Sequence, residues 1–423
     1  MDLKKLKGDV EAGGEHAPRD NEKEEERSDE EERNNDEDER SERFVETRDK
    51  PEILKIKSLN QNNKEMAPFY FGDTLDNRMA EIRKSIYHIR NNWSEFQQFQ
   101  AALKNLLLED DELDFKDKET RIHCAHVLTA DRDWLTLDEA HSKDLGYEAI
   151  KLYTSKEGHA KIYRLANAIF RQKAEVSAER IRSVVFLIEL INIDLFNYCQ
   201  KDQTKVDFRG TVYRGIAVTE EDLQAFKDLR NQPIANRNIA VPLGLFASSS
   251  KLKVAKRFIR KQIERADPAT PLIALLLKIH VIGVKPEYVA FYKRRFPNAE
   301  LTTICAVDIH EISQYPGESE VLLRGPFKLI LDMYRDETMK IAGQAPFVVE
   351  AVMLNANRDH ISTSTCLGED DALARDLFAA MVTETRSEFA AAYCLRKGLS
   401  VDQEEYTNIA KASKEKLNEL MKK

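Results

Sequence analysis

The sequence has no apolar run long enough to cross a bilayer. Its longest, residues 271–284 (PLIALLLKIHVIGV), is interrupted by Lys278 and His280 and reads as a central buried strand. The N-terminus (MDLKKLKGDVEAGGEH) lacks the apolar core of a secretory signal, and the C-terminus lacks a hydrophobic anchoring tail. A cytoplasmic protein with no membrane partner is therefore expected. Cysteine is scarce: Cys124, Cys199, Cys305, Cys366 and Cys394 are odd in number and scattered, which fits reduced thiols rather than a disulfide framework. No Cys-x-x-Cys pair is present, no Gly-x-Gly-x-x-Gly follows a strand, no phosphate loop ends in Gly-Lys-Ser/Thr, and there is no Gly-x-Ser-x-Gly elbow. His123-Cys124-Ala125-His126 is a tight cluster without a second ligand group nearby, so ordinary helix packing is favoured over a metal, and no metal is expected. Basic excess is also missing. The net charge is −9, of which residues 21–50, with fifteen Asp/Glu against seven Lys/Arg, carry −8 and residues 1–20 carry −1. Residues 51–423 are formally neutral, which disfavours nucleic acid as a partner.

At 423 residues the chain exceeds one ordinary hydrophobic core, so a large domain with appendages is expected. Residues 1–50 are almost devoid of apolar side chains and read as a disordered acidic tail, followed by a linker over 51–74. A helical extension over 75–140 follows. Met79, Ile82, Ile86, Ile89, Trp93 and Phe96 recur at spacings of three and four, and Phe99, Leu103, Leu106 and Leu107 continue the stripe. Further helices are predicted over 116–128, 136–152, 157–172 and 177–200, the last with a wide apolar face from Ile181 to Ile191. After 205 the pattern changes to strands, predicted over 211–216, 238–247, 271–282, 302–312, 318–324, 326–332 and 346–354. Ser250 is expected to cap an amphipathic helix whose buried face is Val254, Phe258, Ile259 and Ile263. Residues 284–300 form a basic-aromatic excursion between strands. The segment 356–423 is helical again. Strands grouped after helices predict an α+β fold of mostly antiparallel sheets, not a βαβ winding.

Three short strand motifs carry the chemistry. In Tyr213-Arg214-Gly215, an arginine within an apolar strand is costly unless paired, and its planar fork suits phosphate or carboxylate. The alternative is an edge strand with Arg214 in solvent. In Phe246-Ala247-Ser248-Ser249-Ser250, three hydroxyls end a strand and open a helix; plain capping would account for Ser250 but does not require Ser248. In Tyr315-Pro316-Gly317-Glu318-Ser319-Glu320, a turn runs into Val321-Leu322-Leu323. Side chains two apart on a strand share a face, so Glu318 and Glu320 are expected side by side. A solvated strand start is the bland reading of that pair.

In this order, the three motifs resemble those of the arginine-type mono-ADP-ribosyltransferases, a family marked by an arginine strand, a Ser-Thr-Ser strand and a Glu-x-Glu strand. The matches are Arg214, Ser248-Ser249-Ser250 and Glu318-Ser319-Glu320, with Tyr315 as the aromatic of the preceding turn and Ala255 and Phe258 on the helix after the serines. The segment 152–172 is similar to the family's helical lobe. The resemblance covers roughly 146–355 and implies an ADP-ribosyltransferase-like core of two mostly antiparallel sheets, with a catalytic domain over 141–355 and a C-terminal helical segment over 356–423. The middle motif departs by reading Ser-Ser-Ser, and 284–300 is longer than the family's usual connection. A literal Ser362-Thr363-Ser364 lies after the glutamates, out of order.

The resemblance implies NAD as substrate, with NADP as an alternative dinucleotide, and an arginine-bearing protein as acceptor. Glu320 would stabilise the ribosyl cation. Ser248 would hold that carboxylate, Arg214 would bind the phosphates, and Gly215 would offer its backbone to the nicotinamide amide. Glu318 would orient the acceptor guanidinium, with Tyr315 packed on it. The rival expectations are a catalytically inactive module of the same fold that binds a nucleotide or a protein, and a structural protein of helical halves around an incidental strand block.

Overall fold

A computed structural model describes residues 95–109, 118–129, 146–156, 158, 177–201, 208–240, 245–297, 301–302, 305–323, 327–358 and 370–423. The acidic tail, the linker, most of the helices expected over 136–152 and 157–172, and Ser362-Thr363-Ser364 lie outside the described residues.

The expected α+β class is what the chain adopts. Four helices come first: α1 (Phe96–Glu109), α2 (Lys118–Thr129), α3 (Glu148–Thr154) and α4 (Ala178–Lys201). Their apolar stripes meet as the periodicity predicts. Phe99, Leu103 and Leu107 bury against Cys124, Ile150, Val184, Phe186 and Leu190, forming one core that also takes in Leu322, Val307 and Ile309 from the strand region. The strand region then begins with β1 (Gly210–Val218), α5 (Glu220–Arg230), β2 (Asn238–Ala240), β3 (Phe246–Ser249), α6 (Leu252–Glu264) and β4 (Ile273–Ile282). It continues with α7 (Pro286–Arg295), β5 (Leu301–Thr302), β6 (Ala306–Asp308), β7 (Glu320–Leu323), β8 (Phe327–Arg335), β9 (Phe347–Leu354) and β10 (Asn357–Arg358), and closes with α8 (Asp371–Lys397) and α9 (Ser400–Leu420).

Eight strands form one sheet in the order β2-β8-β9-β4-β1-β3-β7-β6, and β10 pairs with β5 in a separate two-stranded ribbon. Every described pairing is antiparallel except β4 with β9. The long apolar run is the central strand β4, flanked by β1 and β9. One face of the sheet buries Val212, Ile216, Leu275, Leu277, Val321 and Leu323 beneath Leu223 and Phe226 of α5. Against the other face, Ala255 and Ile259 of α6 pack on Ala274 and Leu276. Ala390 and Tyr393 of α8 and Tyr406 of α9 pack on Leu329, Leu331 and Val352.

Several boundaries differ from expectation. Residues 309–312 turn instead of extending the strand, and the excursion at 284–300 contains α7, opened by Pro286 in its first turn. Helix α5 is capped by Thr219, whose hydroxyl accepts from Asp222 N at 3.2 Å. Ser250 does not cap α6; the cap position is Lys251, and Ser249 Oγ accepts from its N–H at 3.0 Å.

Candidate functional site

The three motifs lie on three neighbouring strands, β1, β3 and β7. Strand β3 pairs with β7 over its whole length, Phe246↔Leu323 through Ser249↔Glu320. It pairs with β1 only at Tyr213↔Ser249. Beyond that point β1 and β3 part, and side chains satisfy the backbone left over, as buried polar groups require. Arg214 Nη1 donates to Ala247 O at 2.7 Å, and the guanidinium stacks 4.4 Å from the Phe246 ring. From α6, Gln262 Nε2 donates to Gly215 O at 3.3 Å while its Oε1 accepts from Ala217 N at 3.0 Å. The split is therefore lined by a half-buried guanidinium on one side and a carboxamide on the other.

Gly215 has a steric job that its place in the motif does not reveal. A Cβ there would lie 2.0 Å from Ala255 O and 2.7 Å from Ile259 Cγ1, so the glycine lets α6 sit directly on β1. Of the Gly215 backbone expected to face a ligand, the carbonyl accepts from Gln262 Nε2.

The glutamates are not side by side on one strand. β7 starts at Glu320, whereas Glu318 ends a 3₁₀ turn over Pro316–Glu318, and Ser319 between them is left-handed with φ 45° and ψ 52°. That conformation, costing a non-glycine residue roughly 1 kcal/mol, breaks the two-residue alternation and turns Glu318 out of the pleat. Both carboxylates are nonetheless buried. Ser313 Oγ donates to Glu320 Oε2 at 3.4 Å, and Arg257 Nη2 of α6 lies 3.7 Å from Glu318 Oε1. The turn is tied down from outside. Tyr315 N donates to Ser313 Oγ at 3.1 Å, Gln314 N donates to Thr154 Oγ1 of α3 at 3.1 Å, and Ser250 N donates to Ser319 O at 3.1 Å.

Among the serines the roles shift by one residue. Ser249, not Ser248, faces Glu320 across the ladder, and its hydroxyl donates to Glu318 O at 2.6 Å. Ser248 points to the opposite face, where its hydroxyl donates to Val321 O at 2.7 Å. The expected contact between Ser248 and the Glu320 carboxylate is thus replaced by a Ser249 contact to the glutamate backbone. Arg214, next to Tyr213 on β1, shares the Ser248 face.

Three residues near this constellation carried no signal in the sequence. Ser313 and Arg257 reach the glutamates as described. The third is Lys328 on β8, fully buried with Nζ 4.9 Å from the Phe246 ring on which Arg214 also stacks. Burial pushes its ammonium down to about 7; neighbouring Cys305 opposes that shift and the Arg214 charge adds to it. The His123 cluster belongs elsewhere. Cys124 is buried in the helical core, while His123 and His126 face outward. A cavity of about 480 Å³ between α2 and α3 includes His123, Cys124, Glu148 and Lys151, and touches the glutamate loop only at Gln314. Among the described residues no three His, Cys, Asp or Glu side chains are grouped to hold a metal, and no helix is long and apolar enough to cross a membrane.

No protein-family model and no curated protein sequence matches the chain. Solved ADP-ribosyltransferases are similar in structure. The Vis ADP-ribosyltransferase in complex with agmatine is 14% identical, with 61% of this chain and 84% of that one covered at a TM-score of 0.30. Vis toxin from Vibrio splendidus is likewise 14% identical, over 52% of this chain and 75% of that one, at a TM-score of 0.29. Plx2a, an ADP-ribosyltransferase toxin from Paenibacillus larvae, is 20% identical over 52% and 88%, at a TM-score of 0.29. At that TM-score the likeness is not itself grounds for a function; the grounds are the residues gathered at the β1–β3–β7 split.

Proposed function

We propose that this chain is a mono-ADP-ribosyltransferase that cleaves NAD and transfers ADP-ribose to arginine side chains of proteins, with its catalytic domain over 141–355. The observation that carries the reading is that β1, β3 and β7 are neighbours in the sheet and so bring together Arg214 and Ser248 on one face and Ser249 and Glu320 on the other, with Glu318 in the turn that enters β7, although these residues are separated by up to about a hundred positions in the chain.

The reaction breaks the bond between nicotinamide nitrogen and ribose carbon. Nicotinamide departs with the electron pair, an oxocarbenium-like ribose remains, and the acceptor nitrogen attacks it and loses a proton. Fixed negative charge beside that cation lowers the barrier most when it is preorganised and shielded from water. Glu320, buried at the start of β7, supplies the charge. Arg214, half-buried at the split, has the guanidinium fork that suits the dinucleotide phosphates. Glu318 takes the acceptor guanidinium, and Tyr315 at the head of the turn packs on it. In this reading Ser249 anchors the glutamate loop, Ser248 holds β3 to β7, and Gly215 seats α6. NADP would be a substrate only if the same groups accommodate its extra phosphate. Because Glu320 is only 2% exposed, the Pro316–Ser319 turn must shift for substrate to reach it.

The test is mass spectrometry of acceptor protein after incubation with NAD, comparing the wild type with Glu318→Gln. Wild type should add ADP-ribose to arginine, and the variant should lose transfer while still releasing nicotinamide. Absence of nicotinamide release from wild type would favour an inactive nucleotide-binding module, and equal loss of both activities in the variant would remove the role given to Glu318.

A further inference from the structure

Helix α6 carries a guanidinium of its own into the site. Arg257 Nη2 stands 3.7 Å from Glu318 Oε1, on the carboxylate that the proposed reaction assigns to the acceptor arginine. The Arg257 side chain is 23% exposed and that of Glu318 5%, so the pair sits at the rim with the carboxylate inside and the guanidinium toward solvent. The helix behind it is fixed. Val254, Ala255 and Ile259 are buried, Ala255 O lies against Gly215, and Gln262 bonds to both Gly215 and Ala217. At 3.7 Å the Arg257 side chain makes a long contact rather than a bidentate clamp.

We infer that Arg257 is a resident guanidinium that occupies the acceptor's place on Glu318, and so sets how ADP-ribose is divided between arginine and water. The inference rests on the reading of the site as an arginine ADP-ribosyltransferase. An incoming arginine has the same charge and shape as Arg257 and must displace it. Tethering gives the resident group an effective concentration on the order of millimolar, so a free acceptor competes at a disadvantage until its concentration approaches that range. When Arg257 holds Glu318 no acceptor is oriented, and water takes the ribosyl cation instead. Arg257 is therefore a positioning residue. It acts through Glu318 and has no part in cleaving NAD.

The experiment compares wild type, Arg257→Gln, Arg257→Lys and Arg257→Gln/Glu318→Gln, with NAD and propylguanidine. Arg257→Gln should lower the KM for propylguanidine about fivefold or more and leave nicotinamide release without acceptor unchanged. Arg257→Lys, whose ammonium lacks the planar fork, should fall between. A thermal-shift titration with propylguanidine, read without NAD, should show stronger stabilisation of Arg257→Gln than of wild type, and loss of that gain in the double variant. An unchanged or raised KM in a folded Arg257→Gln protein would overturn the inference and leave Arg257 as a mere counter-ion to Glu318. Wild type that neither cleaves NAD nor modifies propylguanidine would sink the transferase reading, whereas the thermal-shift arm would still report whether Arg257 excludes a guanidinium from Glu318.

Discussion

Two regions of the same sheet bury carboxylates in opposite ways. Glu350, on β9 under α8, is 1% exposed and closely attended. His280 Nε2 lies 2.9 Å from one carboxylate oxygen, Tyr334 OH donates to the other at 2.9 Å, and Lys397 and Lys278 stand at 3.6 and 3.8 Å. Burial alone would raise its pKa, but the His280 and Tyr334 hydrogen bonds and the Lys278 charge outweigh burial and hold it at about 2. Asp402 at the start of α9 is likewise clasped by Arg230 and, at 3.0 Å, by Arg237. At the β1–β3–β7 split, by contrast, the Ser313 contact to Glu320 is 3.4 Å and the Arg257 contact to Glu318 is 3.7 Å. Carboxylates that pin the C-terminal helices are gripped at hydrogen-bond distance. In the glutamate turn, the Ser313 and Arg257 contacts are longer than these. On the proposed function the first set serves stability and the second a substrate.

The comparison can be broken by exchanging substitutions between the regions. Glu320→Gln should reduce nicotinamide release by about 10²–10³-fold or more while moving the denaturant midpoint little, because a neutral amide keeps the volume and a hydrogen-bonding end. Glu350→Ala should do the reverse. It strands His280, Lys278, Tyr334 and Lys397 without their anion and should cost about 3–5 kcal/mol in chemical unfolding, with NAD cleavage per folded molecule retained. If Glu350→Ala abolished cleavage in folded protein, the division between structural and functional carboxylates would fail.

Gly215→Ala probes the seat of α6 and should be the next largest effect. The added methyl meets backbone oxygen at 2.0 Å, so the helix must move off the strand by roughly 1 Å. A loss of about 1–3 kcal/mol in thermal or denaturant unfolding is expected.

The pH dependence sharpens the comparison further. The Glu350 carboxyl titrates at about 2 in the folded chain against 4.5 unfolded, a depressed value. Its contribution is therefore complete above pH 4.5 and lost as pH falls toward 2, on the order of 3 kcal/mol. Glu350→Gln should flatten that acid limb in an unfolding series, and an unaltered limb would mean other carboxylates carry it. The smallest effect belongs to Gly317→Ala: no atom lies within 4 Å of the added methyl, so stability should change by less than about 0.5 kcal/mol.

How much of this was readable in advance differs by element. The stripes of α1, α4, α8 and α9 and the run of β4 declare themselves, because burial of one face imposes a period on the chain. Helix α5 had a readable start in Thr219 and Asp222, and α7 had one in Pro286; the strand-rich surroundings hid both. Val321-Leu322-Leu323 extends the strand pattern backward over the glutamate pair, and a left-handed Ser319 leaves no trace in composition. Ser313 and Arg257 are seven and sixty-one residues from the carboxylates they approach, and neither lies in a motif.

The sequence by itself determined the types of the main elements, the separation of an acidic segment from a neutral remainder, and the chemical identity of the groups at the three motifs. Tertiary structure decided which of those groups meet. The reason is the two-residue period of a strand: a register one residue different sends a side chain to the other face. Only the pairing of β3 with β7 put Ser249 rather than Ser248 opposite Glu320. Likewise, only the packing of α6 on Gly215 brought Arg257 to Glu318.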